Sequence, residues 1–221
     1  MSGTLALVGG SEWGEGCTFD AGLLSASGQS SVLVLPTAAA YEHPDRAVAR
    51  ATEWFGGLGA TVRGLMVLSR ADSEDDDMAA SVREARFVYL AGGSPLHLRS
   101  VLKQSKVWFA LVDAWRDGAV IAGSGAGAMV LGDPMIDPRG GALTLGLGLI
   151  EQVAILPEAS TWSAERLRRT ISLIDEGVAL VAVDARTAVV RAPDGAWSVS
   201  GVGAAAVHVG GRESTLAALP H

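Results

Sequence analysis

"DGAVIAGSGAGAMVLGD", Asp117–Asp133, decides how this chain is read. It opens with a short apolar run, as a strand buried on both faces does. A tight small-residue turn follows, and then a helix. Three readings compete for this turn. Gly123 to Ala128 fits G-x-G-x-x-A, a dinucleotide-binding fingerprint. That fingerprint should open a long helix and be followed by an acid about 20 residues on. Here the helix has little room before the turn-rich "GDPMIDPRGG" (132–141). The second reading is a nucleophile elbow, in which a strained strand-to-helix turn presents Ser or Cys and the next backbone N–H helps to bind an oxyanion. Everything fits except the nucleophile, because the central position is Gly125, which tolerates positive φ but has no side chain to attack with. The third reading is that small residues simply let the helix pack closely on the sheet. The residues alone leave the last two about even.

Moving outward, "TLALVGG" (4–10), "SVLVLPT" (31–37), "ATVRGLMVL" (60–68), "RFVYLAGG" (86–93) and "AVIAG" (119–123) read as strands. Between them, "PDRAVARATEWFGGLG" (44–59), "EDDDMAASVREA" (74–85), "SPLHLRSVL" (94–102) and "KVWFALVDAWRDG" (106–118) read as helices. Apolar strands alternating with amphipathic helices predict an α/β fold, a doubly wound and mostly parallel sheet with helices on both faces. The last third is richer in strands. "GALTLGLGLI" (141–150), "QVAILP" (152–157), "LVAVDA" (180–185), "TAVVRAP" (187–193), "WSVSGVG" (197–203) and "AAAVHVGG" (204–211) predict extra C-terminal strands and an antiparallel edge. One helix, "SAERLRRTISLI" (163–174), interrupts them, with Ser163 as its N-cap. Ligands of such sheets sit beyond the carboxyl ends of the strands, where Gly9–Gly10, Gly92–Gly93 and Gly123–Gly127 should gather.

The 221 residues suit one α/β domain over 1–221, long enough to bury roughly 70% of its unfolded surface. No apolar run reaches about 18 residues, so no membrane span is expected. The start lacks the basic and apolar regions of a signal peptide, and the single cysteine, Cys17, forms no internal disulfide; both fit a cytoplasmic protein. A net charge of −7 argues against nucleic acid as a partner. The acidic run "ADSEDDD" (71–77) reads as a solvated loop and helix start. The four histidines, His43, His97, His208 and His221, are scattered, and neither a metal nor a cofactor is called for.

The order of "LALVGGSEW", "VLVLPTAAA", "VYLAGGSPLHLRSVL", "IAGSGAGAMVLGDPM", "LGLGLI" and "VDARTAVV" resembles the cyanophycinase and aspartyl dipeptidase (peptidase E) family of serine peptidases, over nearly the whole chain. The resemblance implies a class I glutamine amidotransferase-like fold. It also implies a homodimer, and a pocket for acidic peptides. The family's elbow reads G-x-S-A-G-A, which puts its serine at Gly125, with Ala126 next to it. Its histidine would fall in "LPEASTW" at Glu158, or at Ala159 beside it. Its acid would fall in "VDARTA" at Ala185. All three catalytic positions carry other residues while the frame around them persists. The resemblance therefore implies a peptidase-like protein without a working triad, binding a small peptide, an amino-acid-like ligand or a protein partner.

Other residues could take over. Ser124 is the nearest hydroxyl, although neighbours on an extended segment point to opposite sides and it should face away from the cleft. Cys17 follows the first glycine turn, and Glu158 could act as a base. Gly92, Gly93 and Ala126 would frame the substrate and oxyanion pocket. His97 is expected on a helix beside the Gly92–Gly93 turn. Trp13 and Trp162 could wall a cleft, and Arg139 could meet a carboxylate.

Overall fold

A computed structural model describes residues 2–220, so His221 lies outside the described residues. In chain order the principal elements are β1 (Leu5–Val8), α1 (Phe19–Ser27), β2 (Ser31–Leu35), α2 (Pro44–Gly57), β3 (Thr61–Gly64), α3 (Asp76–Glu84), β4 (Phe87–Leu90), α4 (Pro95–Leu102), α5 (Lys106–Arg116), β5 (Val120–Ser124) and α6 (Ala126–Leu131). They continue with β6 (Val153–Pro157), α7 (Ala164–Ser172), β7 (Ala179–Val183), β8 (Thr187–Arg191), β9 (Trp197–Gly201), β10 (Ala205–Val209) and β11 (Arg212–Ser214).

The main sheet has seven strands in the order β9-β8-β1-β5-β4-β2-β3. The β1-β5-β4-β2-β3 run pairs in parallel, and β8 and β9 add the antiparallel edge. Successive residues of each parallel strand feed opposite cores. Leu5, Leu7, Leu33, Leu35, Val88 and Leu90 pack with α3, α4 and α5 on one face. Ala6, Val8, Val32, Val34, Phe87 and Tyr89 pack with α1 and α2 on the other. This explains why these strands read as unbroken apolar runs.

The acidic run caps helices. Ser69 and Asp72 form a capping box on a one-turn helix (Arg70–Ser73), and the Asp75 carboxylate accepts from Met78 N at 2.9 Å to start α3. Ser163 accepts from Arg166 N at 3.2 Å and starts α7.

The expected C-terminal strands are present and divide between two sheets: β8 and β9 form the antiparallel edge, and β6, β7, β10 and β11 form a second, four-stranded sheet. β6 and β7 are buried and parallel, joined through α7, and this βαβ unit has its own core around Leu156, Leu180 and Ile174. Residues 184–186 carry the chain from the second sheet into β8 of the first. The strand expected over "GALTLGLGLI" needs correction: the segment is mostly loop, pairing only at Leu143–Thr144 and, at its end, Ile150–Glu151. A Cβ on Gly146 would lie 1.7 Å from the Gly132 carbonyl oxygen, and Leu145 is 60% exposed. Close backbone contact, not a strand's alternation, sets its glycine spacing.

Candidate functional site

The carboxyl ends of β1, β4 and β5 meet at a cleft of about 640 Å³ lined by Gly10, Glu12, Gly92, Gly93, Gly125, Ala126 and Glu158, with α2 opposite. At its floor, β5 stays in the sheet to its end, and Gly125 N–H still donates to the Val8 carbonyl at 2.9 Å. The backbone then breaks sharply at Gly125, with φ 50° and ψ −108°, and α6 starts at the next residue. This geometry separates the readings of the small residues. An added Cβ would lie 2.5 Å from the Gly127 carbonyl carbon at Gly123, and 2.4 Å from the Leu90 carbonyl oxygen at Gly127. Those two glycines are needed for helix–sheet contact, and protein atoms rather than a phosphate-sized opening occupy the space beside them. At Gly125 the nearest atom to an added Cβ is the Gly92 Cα at 4.0 Å. There the turn has the conformation of an elbow and room for a side chain, but bears none.

Glu158 lines the same cleft, in left-handed backbone with φ 50° and ψ 41°. Its N–H donates to the Gly9 carbonyl at 2.7 Å, and its side chain lies over Gly10. Its exposed carboxylate has no hydrogen-bond partner among the described residues. Ala185 does not line the cleft. It sits in the 184–186 link, where Arg186 N–H donates to the Gly10 carbonyl at 2.8 Å. The neighbouring Asp184 is committed to backbone, accepting from Ser160 N at 3.0 Å and Ala204 N at 3.1 Å. Gly9–Gly10 thus ties position 158 to the 184–186 link that carries Ala185, and position 158 shares the cleft with Gly125.

Ser124 is fully buried, and its hydroxyl donates to Glu12 Oε2 at 2.8 Å. Glu12 Oε1 accepts from Gly92 N–H at 3.0 Å. One carboxylate from the loop after β1 therefore holds the ends of β4 and β5. The loop that delivers it has positive φ at Gly10 (106°), Ser11 (54°) and Trp13 (59°). Such residues cost about 1 kcal/mol or more each where they are not glycine. Sequence reasoning missed Glu12, whose only signal was an acid two residues beyond the first glycine pair.

It also missed the opposite wall. His43, Arg46 and Arg50 line the cleft from the start of α2, with Glu42 beside them. Neither Arg46 nor Arg50 joins an ion pair among the described residues. The expected helpers lie elsewhere. Cys17 is buried, which pushes its thiol above the ordinary value, and it donates weakly to the Ser11 carbonyl. His97 Nε2 sits 3.0 Å from the Leu68 carbonyl oxygen, packed edge-on against Tyr41. Trp162 is covered by the Arg166 guanidinium at 3.7 Å, and Arg139 pairs with Asp137 at 2.6 Å, outside the cleft. Trp13 is buried against Tyr89, with ring centroids 5.1 Å apart.

The similarities to known proteins agree with this architecture. Cyanophycinases of Synechococcus elongatus and of Thermosynechococcus vestitus (strain NIES-2133 / IAM M-273 / BP-1) are each 28% identical over 155 residues, covering 65% of this chain and 48% of theirs. The chain thus spans about half the length of those curated relatives. The crystal structure of a peptidase from an acI-B1 Actinobacterium superposes with a TM-score of 0.86 at 27% identity, over 97% of this chain and 93% of that one. A candidate peptidase E from Listeria monocytogenes EGD-e shares the fold, with a TM-score of 0.67 at 16% identity over 92% of this chain and 100% of that one. Residues 5–195 match the profile of Peptidase family S51 from the first strand of the sheet to beyond β8, and by that span the chain belongs to peptidase family S51.

Proposed function

We propose that this chain binds a short peptide or amino-acid-like ligand in the cleft and carries out no serine-based hydrolysis on it. One observation carries the reading: the turn at Gly125 keeps the backbone of an elbow where no hydroxyl exists to form an acyl-enzyme. Covalent catalysis needs a nucleophile, a base to take its proton and a group to orient the base. Here the three positions hold Gly125, Glu158 and Ala185. The charges around the cleft suit a zwitterion. Arg46 and Arg50 can meet a carboxylate, while Glu42 and Glu158 can accept from an ammonium group.

A second reading, hydrolysis through Ser124, rests on its 2.8 Å bond to Glu12, a contact that could draw off a proton. Against it, Ser124 has no exposed surface. Incubation with Asp-Ala and with a fluorophosphonate probe separates the two. The binding reading expects saturable binding by calorimetry, weakened by Arg46→Ala and Arg50→Ala, with no product and no label. Turnover, or a label lost in Ser124→Ala, would establish the hydrolase instead.

A further inference from the structure

A second cavity, of about 520 Å³, opens between the loop after β1 and the carboxyl-terminal half of α2. Trp13 and Gly14 form one side of it, and Trp54, Gly57 and Leu58 the other. Arg50 lines both this groove and the main cleft, so the two adjoin at that side chain. The family's elbow and its substituted positions give this groove no role.

Its walls suit a planar apolar group. Trp54 is only partly exposed, and its ring is fixed because its indole N–H donates to Asp20 Oδ2 at 2.9 Å. Asp20 is fully buried, and its other oxygen, Oδ1, has no partner among the described residues. A buried carboxylate held this way is costly unless its charge is compensated. What Asp20 achieves here is to set the orientation of one surface indole. Leu58 is 37% exposed beside it. The Arg50 guanidinium lies 5.9 Å from the Trp13 ring centroid, whereas Arg166 closes on Trp162 at 3.7 Å. Arg50 is thus not in face contact with its indole. Added Cβ atoms at Gly14 and Gly57 would meet nothing within 4 Å, so both walls are open. Glu53, and Glu15 on the loop, disfavour an acidic occupant.

We propose that this groove is an extension subsite that takes the aromatic side chain of a peptide whose carboxylate lies against Arg46 and Arg50. The proposal rests on the ligand reading of the main cleft and adds a preference for aromatic residues. Asp20 is then a positioning residue for Trp54.

The test compares Asp-Phe with Asp-Ala by calorimetry on the full chain. The wild type should bind Asp-Phe about tenfold tighter, the gain expected from partly burying a phenyl ring. Gly57→Leu and Gly14→Leu fill the groove from opposite walls without backbone strain, and each should bring the ratio of the two affinities close to one. Two variants guard against loss of folding in either. Equal affinities in the wild type, or a ratio that survives in both folded variants, would overturn the proposal. If neither dipeptide binds, the ligand reading of the main cleft fails by itself. The groove is then judged by N-acetylphenylalaninamide. A saturable change in tryptophan fluorescence that disappears in Gly57→Leu supports it, and no change in the wild type rejects it.

Discussion

Asp20→Asn should remove one pH-dependent weakness from the fold. Burial pushes the Asp20 carboxyl up to about 7 from its ordinary 3.8, against the opposing pull of the Trp54 indole N–H and with a smaller push from Glu12. Below pH 3.8 the group holds its proton in both the folded and unfolded chains, and burial costs nothing in charge. Between about pH 4 and 7 the unfolded chain releases the proton while the folded chain keeps it, so stability falls as pH rises. Above about 7 the full cost is present, and this contribution is flat. At roughly 1.4 kcal/mol per pH unit, the interval amounts to about 4 kcal/mol. Asparagine keeps an acceptor for Trp54 and carries no charge. Its amide nitrogen replaces an unpartnered oxygen and brings a constant cost of about 1–3 kcal/mol unless the equally unpartnered Tyr89 hydroxyl accepts from it. That cost cancels when one pH is compared with another. The stability difference between variant and wild type should therefore grow by about 4 kcal/mol from pH 4 to pH 8, read from urea melts at both. For a chain of this size it corresponds to a change of roughly 8–16 °C in the Tm gap. Parallel pH–stability curves for the two proteins would refute the reasoning.

Three further outcomes are expected. Gly125→Ser has room but places a side chain at φ 50°, ψ −108°, so thermal melts should show a loss of about 1–3 kcal/mol. It should remain unlabelled by fluorophosphonate alone, whereas Gly125→Ser, Glu158→His and Ala185→Glu together should acquire labelling. Gly127→Ala forces a Cβ to 2.4 Å from the Leu90 carbonyl oxygen, and denaturant melts should show a loss of roughly 3 kcal/mol or more, whereas Gly57→Ala, with open space at its Cβ, should show no loss. Glu12→Ala leaves Gly92 N–H and the Ser124 hydroxyl without their acceptor and should cost about 2–3 kcal/mol, with faster amide exchange at Gly92.

The parallel core was legible because burial on both faces writes strands as unbroken apolar runs, as in Leu5–Val8 and Phe87–Leu90. The elbow was legible in outline. Its residues could not say which glycines served contact and which served the turn, because that depends on Leu90 and Gly92, distant in sequence. The division of the last strands between two sheets was hidden, since an alternating strand does not name its neighbour. Glu12 was hidden for the same reason, its partners lying 80 and 112 residues away. Arg46 and Arg50 are four residues apart on an amphipathic helix, and in sequence that spacing marks only a solvated face.

The bracket formed by Glu12 has a consequence for recognition. A single carboxylate ties together the loop after β1, the turn after β4 and the last residue of β5. The floor of the cleft is therefore set during folding and does not wait for a guest. Under the proposed ligand reading, binding there would cost the protein little backbone entropy, and discrimination would rest on fit to a preset shape rather than on closure around whatever arrives.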